Sequence, residues 1–300
     1  MIEKAVLQSF YGKSVLVTGG TGLIGRQVVD ILDATGARVR IVSLDKIKVS
    51  DRAEHILGDL TSFEFCRNIT RDIDFVFHLA GIYTSSIGAY ASAEIFKETE
   101  NQEGPPMDMF PGWAKRMAEL QIQAYQIQYG LNNFSIVRPC NVYGPGDNFD
   151  PNNAMVIPAL MYRIYHKEDP VLIWGDGSAI RDFAYSRDVA EGVILALHYG
   201  TNSHFVNLGS GQGYSIKELV ETLHSFIDFN YKFDTSKPAG FPKRVMDISL
   251  ARKLIHYKPT TTLLDGLKQT WDWFTRNRDE YLNKINYFRE PEHGSIKNKT

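Results

Sequence analysis

The apolar run Ser14-Val15-Leu16-Val17 leads directly into Thr18-Gly19-Gly20-Thr21-Gly22-Leu23-Ile24-Gly25, after which apolar residues recur at helical spacing to about Ala34. A strand, a glycine turn and a helix start in that order constrain the chain more than any other feature. Gly20, Gly22 and Gly25 satisfy G-x-G-x-x-G, and Gly19, Gly22 and Gly25 satisfy G-x-x-G-x-x-G as well. A side chain at the first glycines would block the tight turn or keep backbone away from phosphate, while Gly25 lets the helix approach the strand. The N–H groups at the helix start then face an anion. The next apolar run, Val39 to Leu44, ends at Asp45, twenty residues after Gly25, where a carboxylate would hold a ribose diol. The pattern predicts an adenine dinucleotide with its pyrophosphate at Gly19, Gly22, Leu23, Ile24 and Gly25 and its ribose at Asp45. A structural glycine loop in some other α/β protein is the competing reading.

From Ser14 onward, strand-like runs alternate with helical periodicity, which predicts an α/β fold with a doubly wound parallel sheet. Strands are expected at Ser14 to Val17, Val39 to Leu44, Glu54 to Leu57 and Asp74 to Leu79, with a first helix from about Leu23 to Ala34. Gly58-Asp59-Leu60 could bring a carboxylate near an adenine ring, and His78-Leu79-Ala80-Gly81 small residues near nicotinamide; ordinary turns would read the same way. A long helix is expected from about Trp113 to Tyr129 and a strand from Phe134 to Val137, leading into Arg138-Pro139-Cys140-Asn141-Val142-Tyr143-Gly144-Pro145-Gly146. Residues 1–150 are thus expected to form the dinucleotide domain. Residues 151–285 are expected to form mainly a smaller C-terminal α/β substrate lobe interleaved with the sheet, and 286–300 a polar tail.

Three hundred residues with 43% apolar content suffice for a sizeable core. The net charge of −2 leaves no electrostatic footprint for nucleic acid. Cys66 and Cys140 have no metal-ligand spacing, so no metal is expected and both read as free thiols in a reducing compartment. Neither a secretory signal nor an apolar run of spanning length is visible, and the expected location is cytoplasmic, away from membranes.

Taken together, these motifs resemble the extended short-chain dehydrogenase/reductase family of nucleotide-sugar epimerases, dehydratases and reductases, over roughly Lys13 to Asn277. Thr18 to Gly25 is similar to its cofactor turn, Asp59-Leu60 to its adenine contact, and Leu79-Ala80-Gly81 to the segment under the nicotinamide. Thr84-Ser85-Ser86 with Tyr90 looks like the serine-rich end of strand five, and Gly112-Trp113-Ala114-Lys115 like the end of the Tyr-x-x-x-Lys segment. The resemblance implies a Rossmann-type sheet, a homodimer, Ser86 as the hydroxyl partner of the reacting oxygen, and Lys115 as the cation that holds the nicotinamide ribose. In the family that cation also lowers the pKa of a catalytic tyrosine. It further implies a nucleotide diphosphate sugar as substrate, contacted by Asn141 at the diphosphate or sugar, Val156 at the base, Arg181 at the nucleotide and Arg244 at the phosphates. Solvated or ion-paired surface roles are the alternatives for Lys115, Arg181 and Arg244; Ser86 and Asn141 could be turn residues.

Two positions depart from the family pattern. Where the tyrosine would stand is Pro111, which carries no ionisable group. Another base, such as a desolvated Lys115 or Asp108, a catalytically silent NAD-binding sensor or scaffold, or chemistry without a strong base would each account for it. The second departure is that Leu79-Ala80-Gly81-Ile82 runs directly into Tyr83-Thr84-Ser85-Ser86, whereas adjacent parallel strands need a crossover of a dozen or more residues. Omission of a segment at Ile82 to Tyr83 is expected over a rebuilt sheet, and would separate those Cα atoms by more than about 3.8 Å.

Asp45 favours NAD over NADP, because a carboxylate accepts from a 2′-hydroxyl and repels a 2′-phosphate, although Lys46 and Lys48 lie nearby. Val156-Ile157-Pro158 resembles segments that contact the base in GDP-sugar enzymes and slightly favours GDP. Ser86 is followed by Ile87-Gly88 rather than the Asp-Glu pair of 4,6-dehydratases, which disfavours dehydration. The reading is an NAD-dependent nucleotide-sugar epimerase-type oxidoreductase, with a dehydrogenase or reductase as a further alternative.

Overall fold

In the computed structural model, the described residues are 2–80, 85–99, 104–201, 204–277 and 280. After a short helix α1 (Lys4–Gln8) come strand β1 (Ser14–Thr18), helix α2 (Leu23–Thr35), strands β2 (Arg38–Ser43) and β3 (Glu54–Leu57), helix α3 (Phe63–Ile69) and strand β4 (Phe75–His78). These strands form one parallel sheet in the order β3-β2-β1-β4, with Val15 opposite Val39 and Phe75. Val15, Leu16 and Val17 are buried on both faces of β1, as a central parallel strand requires. On α2, Val28, Val29, Ile31 and Leu32 turn inward, and Gly36 closes the helix in the left-handed region at φ 80°.

The chain continues through a 3₁₀ turn at Ile87–Ala89, strand β5 (Ile95–Phe96), the 21-residue helix α4 (Met109–Tyr129), and strands β6 (Ile136–Pro139) and β7 (Asn141–Tyr143). Next come α5 (Val156–Tyr165), β8 (Val171–Trp174), β9 (Ile180–Tyr185), α6 (Ser186–Tyr199), β10 (Phe205–Leu208), β11 (Gly213–Ser215), α7 (Ile216–His224), β12 (Tyr231–Asp234), β13 (Lys243–Met246), α8 (Ser249–Ile255) and α9 (Leu263–Arg276). β6 pairs in parallel with β10, whereas β9 gathers β7, β11 and β13 around itself. One apolar core lies among β1, β2, α2, α6 and β10; a second is built by α5, β8, α7 and α9 around Phe149, Met161 and Phe274.

α4 starts four residues earlier than the sequence suggests, because Pro111 sits in its first turn. There an N–H has no partner inside the helix, so proline is tolerated. No strand among the described residues pairs with the outer edge of β4 or stands between it and β6. The expected chain gap at Ile82 to Tyr83 lies outside the described residues.

α4 is held to β6 by charge. Arg138, wholly buried on β6, donates from Nε and Nη2 to Glu119 of α4 at 2.8 and 2.6 Å, and its guanidinium lies over the rings of Tyr90 and Phe205 at 4.2 and 3.5 Å. Glu119→Ala leaves a buried cation unpaired and should reduce unfolding free energy by about 3–5 kcal/mol. Urea denaturation followed by tryptophan fluorescence measures it; a loss below about 1 kcal/mol would contradict the structural role.

Candidate functional site

Backbone sterics shape the first half of the site. Gly19 adopts φ 69°, and a Cβ there would stand 2.8 Å from the Ala80 Cα, so the turn lies directly against the end of β4. A Cβ on Gly20 would meet Ile41 of β2 at 2.7 Å, and one on Gly25 would run into the Gly19 carbonyl, with its carbon at 2.8 Å. Gly22 is the N-cap of α2 and places no side chain over the first-turn amides at Leu23 and Ile24. A helix start of this kind presents N–H donors and a positive dipole end to an anion.

Asp45 follows β2, is buried, and accepts from Thr21 Oγ1 at 3.2 Å; Ser43 Oγ donates to its carbonyl at 2.8 Å. Glycine turn and carboxylate are therefore joined through Thr21, which the motif spacing did not single out. Asp59 leaves β3 at the same sheet edge, where Gly58 N donates to Ser43 O, and accepts from Thr61 N at 2.9 Å. Leu60 packs with Leu16, Val42 and Ile69. Leu79 N and Ala80 N donate to Thr18 O and Thr18 Oγ1 at 3.1 and 3.3 Å, while His78, whose pKa burial pushes down, shares a hydrogen bond with Thr18 Oγ1. Gly81 lies outside the described residues. Bare glycine surfaces, open amides and a buried carboxylate at the neighbouring strand end fit an adenine dinucleotide.

At the reacting end, no strand precedes Ser86 among the described residues. It caps the 3₁₀ turn, its Oγ accepting from Gly88 N at 3.1 Å. The start of α4 presses on this turn, since a Cβ on Gly112 would strike Gly88 O and stand 2.5 Å from Pro106 Cβ. Lys115 follows one helical turn later and is half-buried. Burial pushes its amine pKa down, and the nearby Asp108 and Glu119 charges oppose that. Ser85 Oγ donates to Glu119, so the carboxylate that holds Arg138 also tethers the serine turn.

The third group is assembled by strand register. Arg181 of β9 and Arg244 of β13 are direct parallel partners. Arg181 donates to the carbonyls of Ile180 and Phe241 at 2.8 and 2.7 Å, and burial, then the Arg244 charge, lower its pKa. The Arg244 guanidinium lies 4.1 Å from the Phe241 ring centroid, and its buried Nε has no hydrogen-bond partner. Among the described residues neither arginine forms an ion pair. Asn141 Nδ2 donates to Asp182 O at 3.1 Å, and Val156 opens α5, half-buried against the second core. Arg26, also unread in the sequence, links the glycine turn to α9: it donates to Thr21 O, pairs with Glu280 and lies 5.1 Å from the Trp273 ring centroid. Glu280 and Trp273 are more than two hundred residues away, so no local pattern could reveal that link.

A family profile described as the NAD dependent epimerase/dehydratase family matches residues 15–100 and 81–209. GDP-L-fucose synthase 1 of Arabidopsis thaliana is 40% identical over 161 residues, which cover 52% of this chain and 49% of that protein. Probable GDP-L-fucose synthase 1 of Oryza sativa subsp. japonica is 30% identical over 307 residues, covering 89% of this chain and 93% of the relative. The chain thus spans about half of one relative and nearly all of the other. Among solved structures, UDP-glucose 4-epimerase of Thermotoga maritima with UDP-glucose superposes with a TM-score of 0.74 at 27% identity, covering 88% and 99% of the two chains.

The two family matches overlap at 81–100. In the rice alignment, 89% of 300 residues is about 267, so about 40 of the 307 positions are filled by the relative alone. In the Arabidopsis alignment, 52% is about 156, leaving about 5 of 161.

Because the Cβ of Gly25→Ala would press on backbone that has no slack, the variant should lose about 1–3 kcal/mol of stability. Denaturant unfolding tests this, and a midpoint unchanged from wild type would refute the close approach.

Proposed function

Since this chain belongs to the NAD-dependent epimerase/dehydratase family of enzymes, we propose that it is an NAD-dependent oxidoreductase of the epimerase type acting at one carbon of a nucleotide diphosphate sugar. The neighbouring guanidiniums of Arg181 and Arg244, with no carboxylate paired to either among the described residues, carry the substrate half of this reading. Two such forks suit a diphosphate, and a protein that bound only a dinucleotide would have no use for them. The relatives named GDP-L-fucose synthases, together with Val156 at the start of α5, favour a GDP-sugar. NAD is favoured over NADP by the buried Asp45 and by Lys48, which pairs with Asp51 at 2.6 Å on the exposed surface.

When bound, the nicotinamide supplies a hydride acceptor and donor. The glycine turn and the α2 amides hold the pyrophosphate, and Asp45 holds the ribose diol. Asp59 and Leu60 would flank the adenine, and Leu79 and Ala80 would lie beside the nicotinamide, while the matching expectation for Gly81 falls outside the described residues. Lys115 holds the nicotinamide ribose, Ser86 hydrogen-bonds the reacting oxygen, and Asn141, Arg181 and Arg244 orient the sugar nucleotide. Pro111 favours a second reading, a silent NAD-binding sensor or scaffold.

To separate the two, protein is incubated with NAD and a panel of GDP- and UDP-sugars while nicotinamide absorbance and sugar products are followed. Product from at least one sugar is expected, with Arg244→Met weakening sugar-nucleotide binding about tenfold and Lys115→Ala reducing turnover. Dinucleotide binding with no sugar-nucleotide binding would sustain the sensor instead.

We also infer that a helix–strand crossover present in the relatives is absent between Gly81 and Ser85, and that the homodimer suggested by the family depends on it. In support, α4 buries Gly112, Arg116 and Glu119 and exposes Trp113, Met117, Leu120 and Ile127 along one stripe. Such a helix ordinarily turns its apolar stripe to a partner. Grafting the corresponding rice segment should raise the denaturation midpoint and shift the mass seen by light scattering from monomer to dimer. An unchanged midpoint and mass would reject the inference.

A further inference from the structure

The first turn of α4, one turn before Lys115, packs on the turn that Ser86 caps, yet position 111 offers nothing that can take the proton of a sugar hydroxyl. Asp108 is the N-cap of α4. An N-cap aspartate ordinarily accepts from the N–H of the second or third helical residue. Here the third is Pro111, which has no N–H, and the Asp108 carboxylate makes no capping bond. Proline at 111 thus supplies neither a phenol nor one of the usual partners of this carboxylate.

The Asp108 carboxylate is turned to the serine turn. A Cβ on Gly88 would collide with Asp108 Oδ2 and stand 3.2 Å from its Cγ, while the Gly88 N–H donates to Ser86 Oγ. Glycine at 88 therefore leaves room for the Asp108 carboxylate to lie against the turn that Ser86 caps. Gly112 N donates to Asp108 O at 2.5 Å, which pins the residue to the first turn of α4. Lys115 stands one helical turn further along α4, its amine pKa lowered by burial against the opposing charges of Asp108 and Glu119. On the Asp108 side, the 86–89 turn contributes only a hydroxyl and backbone, and α4 contributes Lys115, with Arg116 and Glu119 behind it.

Resting on the function proposed above, we propose that Asp108 is the catalytic proton acceptor for the reacting sugar hydroxyl, with Ser86 orienting that hydroxyl and Lys115 holding the charge balance. A bound nicotinamide would supply the hydride acceptor, so that on oxidation the O–H proton would pass to an Asp108 carboxylate oxygen as the carbon gives up its hydride and becomes C=O; on reduction Asp108 would return the proton to oxygen as the carbon regains a hydride.

Two measurements test the assignment, and the first needs no turnover. Full-length protein is treated with a carbodiimide and an amine in the presence or absence of GDP-fucose or UDP-glucose, and peptide masses report each carboxylate. Saturating sugar nucleotide should reduce modification of Asp108 at least threefold while leaving the remote Glu64 of α3 unchanged. The second is kinetic: Asp108→Asn should lower kcat by about a hundredfold or more, with KM within about threefold and dinucleotide affinity unchanged. Binding of either sugar nucleotide without protection of Asp108, or wild-type kcat in Asp108→Asn, overturns the proposal and leaves the proposed function standing. If neither sugar nucleotide binds, both fall.

Discussion

The buried pair between Arg138 and Glu119 is the interaction on which the reacting end depends. Glu119 accepts both guanidinium bonds and the Ser85 hydroxyl, so one carboxylate fixes α4, β6 and the serine turn relative to one another. Burying two charges is expensive unless geometry and hydrogen bonding are nearly complete. The bidentate fork and the aromatic faces of Tyr90 and Phe205 meet much of that demand. In a continuous parallel sheet, a strand ladder would hold these pieces in place. Among the described residues, where β4 and β6 have no strand between them, electrostatics does so.

The two ends of the site are built on different physics, and that decides how much of each can be read from sequence. A glycine turn is local: the spacing of Gly19, Gly22 and Gly25 predicts the close backbone turn into α2, and strand β3 falls at Glu54–Leu57 as the apolar pattern predicts. Asp45 is readable because it ends the next strand. Thr21 and Arg26 are not, since what gives them meaning is a carboxylate after another strand and an indole far along the chain. The same holds for Arg181 and Arg244, sixty-three residues apart and adjacent only through the pairing of β9 with β13. Family likeness pointed to both arginines; their side-by-side placement is a property of the fold. α4 begins at Met109, ahead of the expected Trp113, because the rule that proline breaks a helix lapses within the first turn.

α4 itself is an inversion of the usual pattern. Its inward face carries arginine and glutamate, and its outward face tryptophan, methionine, leucine and isoleucine. A sequence argument from amphipathicity alone would place the wrong face in the core. The polar face turns inward because Arg138 and the backbone carbonyls of Ala89 and Gly104 supply bonds to Glu119 and Arg116.

Pro111 occupies a slot where a folding chain asks almost nothing of a residue: no amide bond to make, no core to fill, a side chain open to water. Mutational drift there meets little resistance from stability. A phenol could therefore be built in at this position without asking the rest of the fold to adjust.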